Sequence, residues 1–212
     1  MPPTHPVSVF ACQPMKKIQD SYFHKAKREG FAARSVYKLE QIDRKRKLLR
    51  RGMRVLDLGT SPGSWLQYAA RQVGAQGHVL GVDLQEPRGG LPAQARMLQA
   101  DVFDIPAHSL LQGGAPFDVV LSDMAPRTTG VPSADAARSE ELARRALALS
   151  TELLRPGGSL LVKVFQGGGL PDLRKTFAAH FTKVTLEKPK ASRSESVEIF
   201  LLGTGKKEGP AA

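Results

Sequence analysis

The segment Val55-Leu56-Asp57-Leu58-Gly59-Thr60-Ser61-Pro62-Gly63-Ser64-Trp65 reads as a strand, a tight glycine turn and the start of a helix. In an open α/β sheet, ligands bind outside the carboxyl ends of the strands, at turns of this kind. Two familiar occupants fail on single residues. A dinucleotide fingerprint needs glycine where this chain has Ser61, because the backbone must approach a pyrophosphate closely. That disfavours a nicotinamide-dependent oxidoreductase. Gly59-Thr60-Ser61-Pro62-Gly63 also spells the G-x-S-x-G nucleophile elbow, whose mechanism takes an oxyanion donor from the N–H after the serine. Pro62 has no N–H to give.

Outward from this turn, short apolar runs alternate with helical stretches. Strands are expected at Arg54–Leu58, His78–Asp83, Phe117–Ser122 and 159–165, with weaker ones at 96–99, 182–187 and 196–202. Helices are expected at Ser64–Val73, 134–155 and 171–181, the long one ended by Pro156-Gly157-Gly158. Upstream, residues 35–49 place Val36, Leu39, Ile42 and Leu49 on one helical face. Such alternation predicts a doubly wound, mostly parallel α/β sheet of seven strands with helices on both faces. The last two strands have no long helix between them, so they should form an antiparallel hairpin at one edge.

Acidic residues recur where such a sheet binds ligands. Asp83 ends the second strand, 20 residues beyond Gly63, where a carboxylate accepts hydrogen bonds from ribose hydroxyls. Asp101 follows the third strand in Gln99-Ala100-Asp101-Val102-Phe103 and could meet an adenine amino group. Either acid alone reads equally well as a loop cap. Together they favour adenosine without a pyrophosphate, a description that S-adenosylmethionine fits. Asp123 ends the fourth strand in the same way.

Lys163 stands inside Leu160-Leu161-Val162-Lys163-Val164-Phe165. A lysine in an apolar strand is expensive to bury without a partner. An outward lysine protecting an edge strand would avoid that cost, but two more strands follow. Glu198, in Ser196-Val197-Glu198-Ile199-Phe200, is the matching acid, or else part of a solvated face.

Four motifs in this order resemble the FtsJ-like ribose 2′-O-methyltransferases: Gly59-x-x-Pro62-Gly63-x-Trp65, Ser122-Asp123-Met124-Ala125-Pro126, Val162-Lys163-Val164-Phe165-Gln166-Gly167, and Lys188-Pro189-x-x-Ser192-Arg193-x-x-Ser196-x-Glu198. The upstream Arg28-Glu29-Gly30-x-x-Ala33-Arg34-Ser35-x-x-Lys38-Leu39 matches too, and the resemblance runs from about Asp20 to Gly205. It implies a Rossmann-like methyltransferase fold, S-adenosylmethionine as cofactor, and a catalytic tetrad at Lys38, Asp123, Lys163 and Glu198. It also implies cofactor contacts at Gly59, Pro62, Gly63, Trp65, Asp83, Asp101 and Asp123. Thr60 and Ser61 replace the usual alanines and Ser64 a common glycine, departures that touch no catalytic group. Transfer of a methyl group to a ribose hydroxyl needs in-line alignment and a route for the proton. Lysine serves as that base near neutral pH only where burial or a neighbouring cation lowers its pKa from about 10.4. The reaction requires no metal. The substrate implied is a uridine of 23S ribosomal RNA in the 50S particle, with tRNA or another RNA as the alternative. A different class, a non-catalytic RNA-binding or ribosome-assembly protein, has no need of a lysine inside a strand.

Composition agrees with a globular chain acting on RNA. The 212 residues are 41% hydrophobic and 24% charged, the range of a folded domain. Cys12 is the only cysteine, so neither an internal disulfide nor a cysteine zinc cluster can form. No apolar run suits a membrane span or a secretory signal, so no membrane partner is expected, and the lone cysteine suits a reducing compartment; the expectation is a cytoplasmic protein, with a monomer as the default. The net charge is +11, and residues 16–54, with 14 basic and 4 acidic side chains, carry +10 of it. An almost neutral body with a basic leading segment suits a polyanionic partner, though a solubilising arm would look the same. The expected organisation is a flexible tail over 1–15, a basic RNA-docking segment over 16–53, the methyltransferase domain over 54–205 and a disordered tail over 206–212. Arg34, Arg44, Lys45, Arg46 and Lys47 are the residues expected to meet RNA.

Overall fold

Successive residues of a strand point to opposite faces, and the first strand of the sheet is built on that rule. In the computed structural model, Val55 packs into one apolar core while Leu56 and Leu58 pack into another. The structure describes residues 21–86, 90–192 and 196–208. The expected tail over 1–15, with Cys12, lies outside them, as do Arg193 of the fourth motif and residues 209–212.

The elements are α1 (Ser21–Arg28), α2 (Val36–Arg46), β1 (Arg54–Leu58), α3 (Ser64–Val73), β2 (His78–Asp83), β3 (Ala95–Gln99), α4 (Ala107–Leu111), β4 (Phe117–Ser122), α5 (Pro132–Leu153), β5 (Leu154–Phe165), α6 (Leu170–His180), β6 (Phe181–Glu187) and β7 (Glu198–Lys206). They form one seven-stranded sheet in the order β3-β2-β1-β4-β5-β7-β6. β3, β2, β1, β4 and β5 pair in parallel, and β7 runs antiparallel between β5 and β6. The mostly parallel sheet with an antiparallel final strand is the expected fold. One core joins α5 and α6 to the sheet through Leu149, Leu153, Leu173 and Phe177. The other joins α2 and α3 to the opposite face through Leu39, Ile42, Leu66 and Ala69.

Three boundaries depart from expectation. α2 stops at Arg46 rather than near residue 49, because Lys47 turns into the left-handed region and the Asp43 carboxylate accepts the Leu49 N–H at 2.8 Å. Leu48 and Leu49 stay buried beyond the helix end. The strand after α5 begins at Leu154, opposite Phe117, and its ladder shifts register before resuming at Ser159. The start of the expected disordered tail is instead structured. Lys206 pairs with Phe181 in β7 and donates to the Leu154 carbonyl at 2.8 Å, and the Lys207 N–H reaches the His180 carbonyl.

Candidate active site

Strand register gathers charge at one end of the sheet. Leu161 and Phe200 belong to the core beneath α2 and α3, so two residues along each strand Lys163 and Glu198 point to that same face. Phe165 pairs with Glu198 and Ser122 with Val162, which brings Asp123, just past β4, beside Lys163. The Lys163 Nζ donates to the Asp123 carbonyl at 2.6 Å and lies 2.9 Å from its Oδ1. Lys163 is only 7% exposed, so this partner answers the cost of burying its charge. Lys38 reaches down from α2 to Glu198 at 2.5 Å, and the Ser192 hydroxyl donates to the same carboxylate at 3.0 Å. Burial alone would raise the Glu198 pKa. The Lys38 hydrogen bond and charge outweigh it and, with Ser192 and the charge of Lys163, hold the group below the usual carboxylate range. The four residues of the expected tetrad thus meet as two ion pairs.

A cavity of about 420 Å³ opens on the Asp123 side, lined by Gly59, Ser61, Asp83, Leu84, Asp101, Phe103 and Met124 among others. Gly59 has φ +78° and packs where a Cβ would stand 2.5 Å from the Met124 side chain, so the turn requires glycine there. Asp83 accepts the Ser61 and Gln85 N–H groups, both at 2.9 Å, and Asp101 accepts the Phe103 N–H at 2.9 Å. Both acids cap their loops and still present carboxylates to the cavity. Leu84 and Phe103 are 62% and 44% exposed, apolar side chains on the rim next to those acids. The sequence does mark their places, since Leu84 directly follows Asp83 and Phe103 stands two residues beyond Asp101. Donors and acceptors beside exposed apolar side chains are what an adenosine with a short charged extension needs. The residues therefore fit S-adenosylmethionine.

Trp65 is a correction. It does not line this cavity. Its ring is buried, stacks on Phe200 at 5.7 Å between centroids, and donates Nε1–H to the Ser35 carbonyl at 2.9 Å. Its place beside the glycine turn belongs to packing, fastening α3 to the segment that leads into α2. Pro62, after a cis peptide bond, and Gly63, at φ +108° on the helix N-cap, shape the turn without forming the cavity wall.

Asp57 also went unremarked in the sequence. It lies on the α2–α3 face of β1, fully buried, and neither carboxylate oxygen has a hydrogen-bond partner among the described residues. Burial, then the charges of Asp123 and Asp83, push its pKa up to about 8.

A second cavity, of about 260 Å³, lies on the Glu198 side between Arg34, Ser35, Lys38, Ser196 and Glu198. The basic segment that forms one wall is bolted to the body. The Arg34 guanidinium donates to the Ala191 carbonyl at 2.6 Å while the Gln41 side chain accepts the Ala191 N–H at 3.1 Å. Lys45 donates to Glu187 at 2.8 Å, and Arg46 grips the same buried carboxylate through two nitrogens. Burial favours the neutral form of Glu187, but these two cations outweigh it and lower its pKa. The expected cluster of RNA contacts is thereby split. Lys45 and Arg46 neutralise Glu187, whereas exposed Arg44 pairs, among the described residues, only with Glu40 on its own helix. Lys47 is exposed and makes no ion pair among the described residues.

The chain belongs to the FtsJ-like methyltransferase family, whose pattern matches residues 31–206. Among its relatives is the ribosomal RNA large subunit methyltransferase E of Desulfatibacillum aliphaticivorans, 45% identical over 191 residues, 90% of this chain and 92% of that one. The proteins of that name from Nitratidesulfovibrio vulgaris and Oleidesulfovibrio alaskensis are 49% and 48% identical, over 90% and 92% of this chain and 95% and 96% of theirs. A solved Plasmodium falciparum structure superimposes with a TM-score of 0.74 at 24% identity, covering 84% of this chain and all of that one, a likeness of fold. No helix among the described residues is long and apolar enough to cross a membrane.

Proposed function

We propose that the protein methylates a ribose 2′-hydroxyl of large-subunit ribosomal RNA, a uridine in the 50S particle, acting as a cytoplasmic monomer. One observation carries the reading: the Lys163–Asp123 pair stands between a nucleoside-sized cavity, walled by Asp123, and a second cavity walled by Lys38 and Glu198. S-adenosylmethionine, held by Asp83, Asp101 and the Gly59 turn, would supply the methyl group. Lys163 is the group placed to orient the hydroxyl and take its proton. Asp123 fixes the Lys163 Nζ through both its carbonyl and its carboxylate, and it is the neutral amine, once the ammonium has given up its own proton, that takes the proton of the hydroxyl. Lys38 and Glu198, locked to each other and to Ser192, position the ribose. The names carried by the relatives support the choice of substrate.

The test is methyl transfer from labelled S-adenosylmethionine to free ribosomal RNA, 50S subunits and 70S ribosomes from a strain lacking the activity. Label confined to one uridine of the 23S RNA in 50S subunits is the expected result. Label in tRNA instead would reassign the substrate, and tight RNA binding with no transfer to any RNA would make this a binding protein.

The split of the basic cluster sharpens a second expectation. Replacing Arg44 and Lys47 with Glu should weaken RNA binding and reduce the slope of log affinity against log salt by roughly one to two. Cofactor affinity should stay constant. Lys45 and Arg46 are left in place because reversing them would strand three acids together at Glu187. An RNA affinity unchanged in filter binding across salt concentrations would reduce the exposed cations to solubilising charge.

A further inference from the structure

The first helix turns an aromatic and basic face outward. In α1 the side chains of Tyr22, Lys25 and Ala26 turn inward, while Phe23, His24, Lys27 and Arg28 are exposed. Residues four apart share a helical face, so the outer face is two rings followed one turn later by two cations. Phe23 is 57% exposed, and the His24 ring meets it edge-on at 5.7 Å between centroids. The helix contains no acid. It also sits beside the proposed site. The Tyr22 ring lies 5.9 Å from the guanidinium of Arg34, which lines the cavity of Lys38 and Glu198, and the Tyr22 hydroxyl accepts a hydrogen bond from Gln41 at 3.2 Å.

An outward aromatic side chain with cations a turn away is complementary to single-stranded nucleic acid. Every base offers a π-face for stacking, and the phosphates on either side are drawn to lysine and arginine. We propose that Phe23, backed by His24, is a stacking platform for an unpaired base of the RNA substrate, close to the nucleotide positioned by the Lys38–Glu198 pair. Lys27 and Arg28 take the phosphates flanking that base. The inference rests on RNA being the substrate, and extends it to a residue that holds the strand outside the reaction centre. Because stacking is tolerant of base identity, the platform adds affinity for unpaired RNA without dictating sequence.

The experiment compares the wild-type chain with F23A, F23L and F23W, using a short single-stranded RNA that carries 2-aminopurine and, separately, 50S subunits. Phe23 is exposed, so all three variants should melt as the wild type does. F23A and F23L should each lose about tenfold in affinity for the oligonucleotide, the scale of one stacked base, and lose the change in 2-aminopurine fluorescence on binding. F23W should retain both. On 50S subunits, F23A should raise KM with kcat unchanged, because the platform binds ground and transition states alike. Wild-type affinity or fluorescence in F23A would overturn the proposal. So would an F23L that behaves as the wild type, since apolar area alone would then suffice. A loss seen on 50S subunits but not on the oligonucleotide would overturn it in favour of a protein contact. Intact stacking in a protein that transfers no methyl group would defeat the proposed reaction and leave the platform standing.

Discussion

Lys163→Ala should lower methyl transfer by about three orders of magnitude or more while S-adenosylmethionine affinity changes only a few-fold. A positioned general base contributes about 10²- to 10⁴-fold, and Lys163 also orients the attacking hydroxyl, a separate contribution from alignment. Its Nζ is held by two oxygens of Asp123. Loss of the lysine leaves Asp123 without its cation, in the field of buried Asp57. Removing one partner of a buried pair can cost about 3–5 kcal/mol, so loss of folding must be separated from loss of chemistry. Lys163→Met, which keeps the length and apolar stem, serves that purpose. Both variants should bind cofactor calorimetrically and fail in single-turnover transfer. Methylation within tenfold of the wild-type rate in either folded variant would remove Lys163 from the reaction.

Asp57→Asn should make the protein more heat-stable, and increasingly so as pH rises. In the folded chain, burial first and the Asp123 charge second push the Asp57 carboxyl from its ordinary 3.8 up to about 8. The unfolded chain gives up that proton near 3.9, so between the two values the unfolded state is the one that ionises. Its ionisation therefore costs the fold nothing below about pH 4, and stability falls steadily as pH climbs through the interval. The decline ends once the pH passes about 8. Asparagine cannot ionise and escapes it. That interval corresponds to several kcal/mol, and each kcal/mol moves Tm by about 2–4 °C at this size. The variant should melt on the order of 5–10 °C above wild type at pH 8.5 and within a degree or two of it at pH 4. Melting curves that run parallel across that range would mean that Asp57 is already ionised in the native protein.

What could be read from the chain beforehand depended on how local its cause was. β1, β2, β4 and α3 begin and end at the expected residues, because period and punctuation are written within each segment. α1 was not foreseen: among its eight residues only Ala26 is buried, which leaves no apolar stripe to detect. α4, at five residues, is too short for a period to show. The same division runs through the site. Asp123, Lys163 and Glu198 stood out as charges at strand ends or in apolar runs, Lys38 was marked only by the family resemblance, and the four meet. Lys45 and Arg46 looked free because Glu187, their partner, lies more than 140 residues away. Trp65 looked like a ligand contact because it follows the glycine turn, whereas its indole N–H is spent on Ser35. Asp57 hid in an apolar strand, and only pairing with β2 and β4 on both sides shows that no solvent reaches it.

The place of β7 in the sheet has a consequence for the order in which the protein is made. The last strand of the chain lies between β5 and β6, so β6 has no partner in the sheet until β7 arrives. The same strand opens with Glu198, the anchor for a lysine 160 residues earlier. Chains leave the ribosome from the N-terminus onward. A growing chain can form β1 to β5 and the glycine turn while its newest residues are still enclosed. It cannot close the Lys38–Glu198 pair. The nascent protein therefore passes through a stage with an open sheet edge at β5 and half of its proposed centre missing, and both conditions end together when β7 emerges and docks between β5 and β6.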